Sequence, residues 1–564
     1  MPDTDTFLAS LLRRTGLFTD FQLHQLLTAD RSDGTGLTGV VVRLGMVKEE
    51  EFLRALAKGL GLEYVDLTQT PPAPEAVKCL KSGPVFQYGV MPVRLEGRLL
   101  TVATADPFQP AALDGLRLAS GLDVRLALCP RPLIEKAEAK FYGVGGDVID
   151  EMLEGDRYTV DDDTANITKL DVNEGNQEAA IVRFVNRIIA EADRQGATDI
   201  HFEPMEDELR IRYRIDGMLH KVDVPPQINR LKAAIISRLK VMANLDIAEK
   251  RMPMDGRIGI RINGEDLDIR ISTCPIAYGE SVSLRLLQKA GNFVQLKDLG
   301  MAPRDFGVIN KLIKRPNGII LVTGPTGSGK STSLYAFLHE INRMDVRILT
   351  VEDPIEYEMP GINQVLVRAD IGLTFARALR AFLRQDPDII MVGEIRDGET
   401  AEIAINASLT GHLVFSTLHT NDAAGAFARL IDMGAEPFLV ASAVAGVMAQ
   451  RLARRLCPKC RARHPLDRSL WDQPGEPPQD FVYEPIGCDA CTQTGYRGRG
   501  ALFELLHVSE QLQSLIINRR SSAEIRKASM LEGMTTLRQD GWKKVFSGFT
   551  SVSELMRVTE DSKD

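Results

Sequence analysis

The sequence predicts an α/β protein of several domains that ends in a helix-flanked parallel sheet carrying a phosphate loop. Three observations carry that expectation. From Gly318 to about Ala449, apolar strand-like runs alternate with helical ones, which is how a parallel sheet covered by helices reads. Within that region Ile319-Ile320-Leu321-Val322 leads directly into Gly324-Pro325-Thr326-Gly327-Ser328-Gly329-Lys330-Ser331-Thr332, a match to GxxxxGK[ST] between a strand and a helix. The chain has 564 residues, 44% hydrophobic and 26% charged, enough for three or four domains at about 100–200 residues each.

Residues 1–143 read as a compact α/β unit suited to docking a partner. Leu8, Leu11 and Leu12 recur at helical spacing, Gly16 interrupts them, and Thr19-Asp20 starts a second helix through Leu27. Phe52, Leu53, Leu56 and Leu60 form another apolar face, ended near Gly61. Val90–Leu95 and Arg98–Ala103 flank Glu96-Gly97, a hairpin signal.

Residues 144–175 change composition. Asp147, Asp150, Glu151, Glu154, Asp156 and Asp161-Asp162-Asp163 face few basic residues, so this is an acidic linker. A second α/β domain over 176–295 follows. Ile181–Ala192 carries a helical stripe, and Leu209–Tyr213 alternates as a strand, placing Arg210, Arg212 and Arg214 on one face before a turn at Asp216-Gly217. The last domain is 296–564.

Lys and Arg total 68 against 77 Asp and Glu, a net charge of -9, which argues against a dedicated nucleic-acid binder. Because nearly all of that excess sits in the acidic linker, the remainder is close to neutral. No basic-then-apolar signal opens the chain, and the longest near-apolar stretch, Phe438–Ala449, falls short of the roughly 20 residues that cross a bilayer. A cytoplasmic chain, free or held at a membrane by partners, is expected.

The phosphate loop is expected to wrap nucleotide phosphates with backbone N–H groups at a helix N-terminus. Lys330 reaches the β- and γ-phosphates and Ser331 ligates magnesium. Ile389–Val392 ends in Gly393-Glu394, an acid at a strand end where water and metal are organised; the usual Asp is here a longer Glu. Arg347–Val351 leads into Glu352-Asp353-Pro354-Ile355-Glu356, three acids that need compensation, one of them a candidate general base. His412 and His419 bracket a fourth element, Leu413-Val414-Phe415-Ser416-Thr417-Leu418; seven apart, they point to opposite faces of an ideal strand unless it ends before His419. Arg380 and Arg384 share a helical face, either as exposed salt-bridging residues or as arginine fingers.

Cys457-Pro458-Lys459-Cys460 and Cys488-Asp489-Ala490-Cys491 are two CxxC knuckles 27 residues apart. Two such pairs close a tetrathiolate zinc site with no open position, hence structural; a redox or disulfide pair and free thiols are the alternatives. The segment between them, an insertion of about 457–491, carries Pro474, Pro477 and Pro478 as a looping excursion does. Cys79, Cys129 and Cys274 are expected to be ordinary buried residues.

Taken together, Gly324–Thr332, Val351–Glu356, Arg384-Gln385-Asp386-Pro387-Asp388 with Gly393–Asp397, and Gly411–Thr420 resemble the secretion ATPases of type II secretion and type IV pilus systems, in order and spacing, over nearly the whole chain. The resemblance implies a RecA-like C-terminal domain, preceded by a PAS-like α/β domain and a small α/β N-terminal domain. It names the loop Walker A, Glu352, Asp353 and Glu356 the Asp box, Glu394 the Walker B acid, and His412 and His419 the His box. By the same resemblance Glu356 is the general base, and Arg270, Arg285, Arg380 and Arg384 approach nucleotide phosphates as domains close. The cysteines match the zinc element of export-direction members, which retraction members lack.

It further implies ATP, Mg2+ and structural Zn2+, a homohexamer, and a motion passed to an inner-membrane platform protein, with residues 1–143 held by a membrane docking protein. Some members bind cyclic di-GMP through a motif beginning Arg-Leu-Gly at two places. Here those places read Phe7-Leu8-Ala9 and Gly36-Leu37-Thr38, so this ligand is not expected. Segments 372–376, 421–426 and 432–439 look more like secretion members, whereas Ala381-Phe382-Leu383 and the chain length look more like pilus-assembly members; secretion is favoured. A RecA-like nucleic-acid translocase is the distant alternative, since the chain has two Trp and no basic-aromatic cluster. A non-hydrolysing scaffold is disfavoured by the presence of Lys330, Glu356 and Glu394.

Overall fold

The computed structural model describes residues 3–28, 37–145, 174–262, 265–287 and 294–559. The chain divides into two compact units, 1–287 and 288–564. Most of the expected acidic linker lies outside the described residues. At the two ends of that span the Val144 N–H donates to Asp223 O at 2.9 Å, and Glu174 and Gly175 belong to a helix, Glu174–Arg194.

The first unit begins with four helices, Asp3–Thr15, Asp20–Thr28, Leu37–Arg43 and Glu49–Leu60. Their apolar stripes bury Leu12, Leu26, Phe52, Leu53 and Leu56 together. Thr19 and Gln22 cap the second helix reciprocally, with each backbone N–H bonded to the other's side chain. Gly61 ends the fourth helix in the left-handed conformation. A small sheet follows, β1 (Glu63–Tyr64), β2 (Val90–Glu96), β3 (Leu99–Thr104) and β4 (Asp123–Leu128), in the order β1-β4-β3-β2. The expected hairpin is β2–β3.

The same unit holds a second, wholly antiparallel sheet: β5 (Ala197–Pro204), β6 (Leu209–Ile215), β7 (Met218–Lys221), β8 (Met254–Ile262), β9 (Glu265–Ile276) and β10 (Gly279–Leu287), ordered β7-β6-β5-β10-β9-β8. Phe184, Ile188 and Ile189 of the long helix and Ile235 and Leu239 of Lys232–Met242 are buried with Phe202, Ile211 and Leu284 of the sheet. Strand alternation also corrects one expectation. Thr273 is buried and its neighbour Cys274 on β9 is exposed, because successive side chains leave opposite faces. Cys129 is buried as expected and Cys79 is half-buried.

The second unit is built on β11 (Gly318–Thr323), β12 (Ile348–Glu352), β13 (Asn363–Leu366), β14 (Ile389–Val392), β15 (Leu413–Leu418), β16 (Val444–Leu456) and β19 (Tyr496–His507), ordered β13-β12-β14-β15-β11-β16-β19. A separate ribbon pairs β17 (Ala462–Pro465) with β18 (Phe481–Glu484). Every strand of the large sheet is parallel except β19, which runs antiparallel along β16. β11, β12, β14 and β15 are buried along their whole length, as strands covered on both faces must be. Ile319 and Leu321 face one core with helices Phe375–Phe382 and Gly398–Leu409, whereas Ile320 and Val322 face another with Lys330–Ile341. The parallel register brings the ends of β11, β12, β14 and β15 to one edge, and the loops that leave this edge carry the chemistry.

Candidate nucleotide site and four-cysteine cluster

The phosphate loop is shaped by close approach to β16. Gly324 has φ +146°, and a Cβ there would stand 2.5 Å from Gln450 O and 2.6 Å from Ser328 Oγ. At Gly329 a Cβ would meet Gln450 Nε2 at 2.7 Å. The Gln450 side chain is fixed by Ser333, whose hydroxyl donates to Oε1 at 2.7 Å. Ser328 Oγ is buried with no hydrogen-bond partner among the described residues. Lys330 folds back over its own loop, donating to Gly324 O at 2.8 Å and Pro325 O at 3.1 Å. Burial lowers the Lys330 pKa, the charge of Glu394 opposes that, and Arg451 adds to it. Pro325, Thr326, Gly327, Ser331 and Thr332 are exposed on the loop and the first helical turn. Bare backbone N–H groups, a lysine and a hydroxyl at a helix N-terminus suit a nucleotide phosphate with magnesium.

The acids behave differently from one another. Glu352 closes β12 and is buried, and it accepts from the Tyr335 hydroxyl, from Thr350 Oγ1 at 2.6 Å and from Gln364 Nε2 at 3.0 Å. Those three donors compensate it, so it is a fixed anchor and not a free base. Asp353 is exposed, 3.9 Å from Arg396. Glu356 is half-buried, and its backbone N–H donates to Tyr335 Oη at 3.2 Å.

Glu394 follows β14 and is largely buried, ion-paired with Arg396 and 3.2 Å from His419 Nε2. Burial pushes its carboxyl up, but Arg396 and His419 outweigh burial and hold it below the usual carboxylate range. Such an acid is a weak proton acceptor and a good holder of cation or oriented water.

The histidines are divided by β15 itself. The strand ends at Leu418, which leaves His419 free to turn toward Glu394, whereas His412 precedes the strand at its other end. Its Nδ1 is 2.8 Å from Ala407 O and 3.3 Å from Thr410 Oγ1. Six residues of strand, about 20 Å at some 3.3 Å each, separate it from the loop edge. Arg380 pairs with Glu399 at 2.6 Å in an exposed bridge, and Arg384 lies past the helix end, donating to Arg380 O at 3.0 Å.

In the antiparallel sheet of the first unit, Arg285 of β10, Arg270 of β9 and Arg257 of β8 are direct cross-strand neighbours. Asp199 joins the row from β5, 3.0 Å from Arg285 and 3.6 Å from Arg214. Like charges placed opposite one another are costly, and Asp199 offsets the Arg285 end of the row. The family resemblance singled out Arg270 and Arg285 but not Arg257, which the pairing of β8 with β9 brings into register. It also missed Tyr335, Gln450 and Arg396. The signal for Gln450 was present as a polar residue inside the apolar run Val444–Leu452.

The four cysteines converge. Sγ separations are 3.8 Å for Cys457–Cys488 and Cys460–Cys491 and 3.7 Å for Cys488–Cys491, and all four ligand atoms lie within 4.8 Å of one another. A tetrahedron with metal–sulfur bonds of about 2.3 Å has edges of about 3.8 Å, so the cluster fits a tetrathiolate metal ion. None of the cysteines is in a disulfide. Burial raises the Cys491 thiol, but backbone N–H groups of Cys488 and Gly495, each 3.2 Å from its Sγ, bring it down to about 7. The excursion between the knuckles forms the β17–β18 ribbon and docks Trp471 edge-on to Trp542, 5.1 Å between centroids.

A family model described as "Type II/IV secretion system protein" matches residues 174–557, and one described as "MshEN domain" matches 60–147. The two tripeptides Phe7-Leu8-Ala9 and Gly36-Leu37-Thr38 precede that second span; of them, the Phe7 side chain and Gly36 lie outside the described residues. The chain is 41% identical over 562 residues to the type IV pilus assembly ATPase PilB of Myxococcus xanthus, covering 98% of each. It is 42% identical over 567 residues to the type II secretion system protein E of Xanthomonas campestris pv. campestris, again covering 98% of each. Among solved structures, the ATPase DotB of Legionella pneumophila is similar in fold, with TM-score 0.50 and 22% identity over 66% of this chain and 95% of that one. No helix among the described residues is long and apolar enough to cross a membrane.

Proposed function

Because the chain belongs to the type II/IV secretion system protein family, we propose that it is the motor of a type II secretion system, a homohexamer at the cytoplasmic face of the inner membrane. It is an ATP-hydrolysing enzyme of the secretion and pilus-assembly class. The observation that carries the reading is the convergence of Glu394 and His419 on the sheet edge from which Lys330 and its loop depart.

In the proposed reaction the phosphate loop holds ATP and Lys330 neutralises the β- and γ-phosphates. Ser331 offers its hydroxyl to magnesium, which when bound offsets phosphate charge. Glu394 orients the attacking water with His419 beside it. The water oxygen bonds to the γ-phosphorus, the bond to the bridging oxygen breaks toward ADP, and the proton passes to Glu356 as general base. Arg270 and Arg285 contact phosphate during turnover, with Arg384 and Arg380 as further contributors, whereas His412 sits at the opposite end of β15 and takes no part. Cys457, Cys460, Cys488 and Cys491 hold structural zinc, which ties the insertion to the ATPase domain. The domain layout we propose is 1–143 for docking on the membrane partner, 144–175 as linker, 176–295 and 296–564.

The near-equal match to a pilus-assembly ATPase favours a second reading, pilus extension. One experiment separates the two: identify what co-purifies with full-length Glu394→Gln from solubilised native membranes. Secretion platform and docking proteins are the expected result; pilus platform proteins in their place overturn the secretion assignment and leave hydrolysis standing. Absence of phosphate release by the wild-type chain, alone and with its membrane partners, overturns the motor itself.

A further inference from the structure

At the other end of β11 from the phosphate loop, the second unit has a cleft of ≈ 350 Å³. Its walls are the helix Pro303–Leu312 with Arg315 beyond it, His507 at the end of β19, and the turn Glu532–Met534. Leu312 packs against Gly446 of β16, and Gly446 is paired with His507, whereas the phosphate loop leaves β11 beside Ala449. Three residues of strand, about 10 Å, therefore lie between the two places.

The charges lining the cleft do not cancel. Arg304 is committed to Asp305 at 2.8 Å. Glu532, the acid in the lining, accepts from Ser509 Oγ at 2.6 Å. Lys311 and Arg315, one helical turn apart, have no side-chain partner among the described residues. His507 sits in the resulting positive field: burial first, then Arg315 and Arg304, lower its pKa against the opposing pull of Glu532. Val308, Leu312 and Met534 give the cleft an apolar side.

We propose that this cleft is a second anion site that takes a phosphate monoester bearing a compact apolar group. The phosphoryl dianion supplies one oxygen each to Lys311 and Arg315 and a third to His507, a set of charge-assisted bonds that a carboxylate monoanion cannot complete. The apolar group lies on Val308, Leu312 and Met534. The volume is at the small end of ligand pockets, about 300–1,000 Å³, so one small ester or one lipid phosphate headgroup fits.

The test uses the full chain saturated with ADP and magnesium, so that the phosphate loop is filled. Calorimetric titration with phenyl phosphate is expected to show one site per chain, with benzoate about tenfold weaker or more. Lys311→Gln combined with Arg315→Gln is expected to weaken phenyl phosphate by about tenfold or more. Val308→Trp, which fills the apolar side and leaves the cations, is expected to do the same, and basal ATP hydrolysis stays unchanged in both variants. Sedimentation with vesicles of phosphatidic acid in phosphatidylcholine identifies the source. Vesicle binding lost in the charge variant assigns a lipid headgroup, and binding of the soluble ester alone assigns a free metabolite. Neither probe binding the wild type, or binding undiminished in both variants, overturns the proposal.

Discussion

Tyr335 donates its hydroxyl to the buried Glu352 carboxylate and accepts the Glu356 backbone N–H at 3.2 Å. One side chain on the helix that follows the phosphate loop thus sets the position of the run Glu352–Glu356. Burial first, then the charge of Glu352, pushes the Tyr335 pKa up, so the hydroxyl stays a donor at every working pH.

Tyr335→Phe removes that donor and leaves Glu352 with Thr350 and Gln364. An unsatisfied buried acceptor costs roughly 1–3 kcal/mol, so a lower unfolding midpoint in denaturant is expected. Glu356 loses its tether in the same change. We expect kcat for phosphate release to fall with KM for ATP nearly constant; an unaltered kcat would separate Tyr335 from catalysis.

The pH dependence follows from Glu394. Its folded pKa is depressed, so the carboxylate and the stability it confers are present above the ordinary carboxylate range and are lost only as pH falls through the lower folded value. Arg396→Gln removes the strongest opposing contribution and lets burial dominate, which raises the Glu394 pKa. The acid limb of the turnover–pH profile is then expected to move to higher pH, read directly from initial rates.

Lys330→Ala deletes the cation that neutralises the β- and γ-phosphates in the proposed reaction. Removal of one preorganised donor to transition-state charge costs roughly 100–1,000-fold in rate, so phosphate release is expected to fall to near background. Near-normal turnover would remove the loop from the mechanism.

Metal content is equally direct. About one zinc per chain is expected by elemental analysis, since four thiolates close one tetrahedral site. Chelation at mildly acidic pH, or Cys491→Ser, is expected to expose the segment 461–487 to protease while ADP binding persists. A metal-free preparation with the ribbon intact would end the zinc assignment.

Much of this was legible because certain chemistry writes itself locally. β11 and β14 are buried on both faces and therefore read as the apolar runs Ile319–Val322 and Ile389–Val392, and the loop and the CxxC pairs have fixed short spacings. What stayed hidden depends on where strands stop and which distant element arrives. A spacing of seven from His412 to His419 does not say that β15 fills all six residues between them, and that boundary sends the two rings to opposite edges. Arg380 meets Glu399, and Gln450 meets Ser333, only after the sheet is assembled. Arg257 is visible as a neighbour of Arg270 only through the pairing of β8 with β9.

Gln450 and Gly324 give the sharpest test of how the loop is held. A methyl at Gly324 would stand 2.5 Å from Gln450 O, which is backbone of a central strand and cannot swing aside. The φ of +146° is strained for any side chain as well. Gly324→Ala is therefore expected to displace the loop from β16 and abolish nucleotide binding, while the two cores on either face of the sheet, which the substitution does not touch, keep the unit folded. Gln450→Ala acts more mildly. It keeps the backbone carbonyl, removes the acceptor for Ser333 and opens space beside Gly329. Loss of one buried hydrogen bond costs about 1–3 kcal/mol, and because the loop loosens before chemistry starts, the loss is expected in ATP affinity more than in kcat. Equilibrium binding of a fluorescent ADP to both variants checks the pair. Tight binding by Gly324→Ala would mean that the contact with Gln450 does not set the loop.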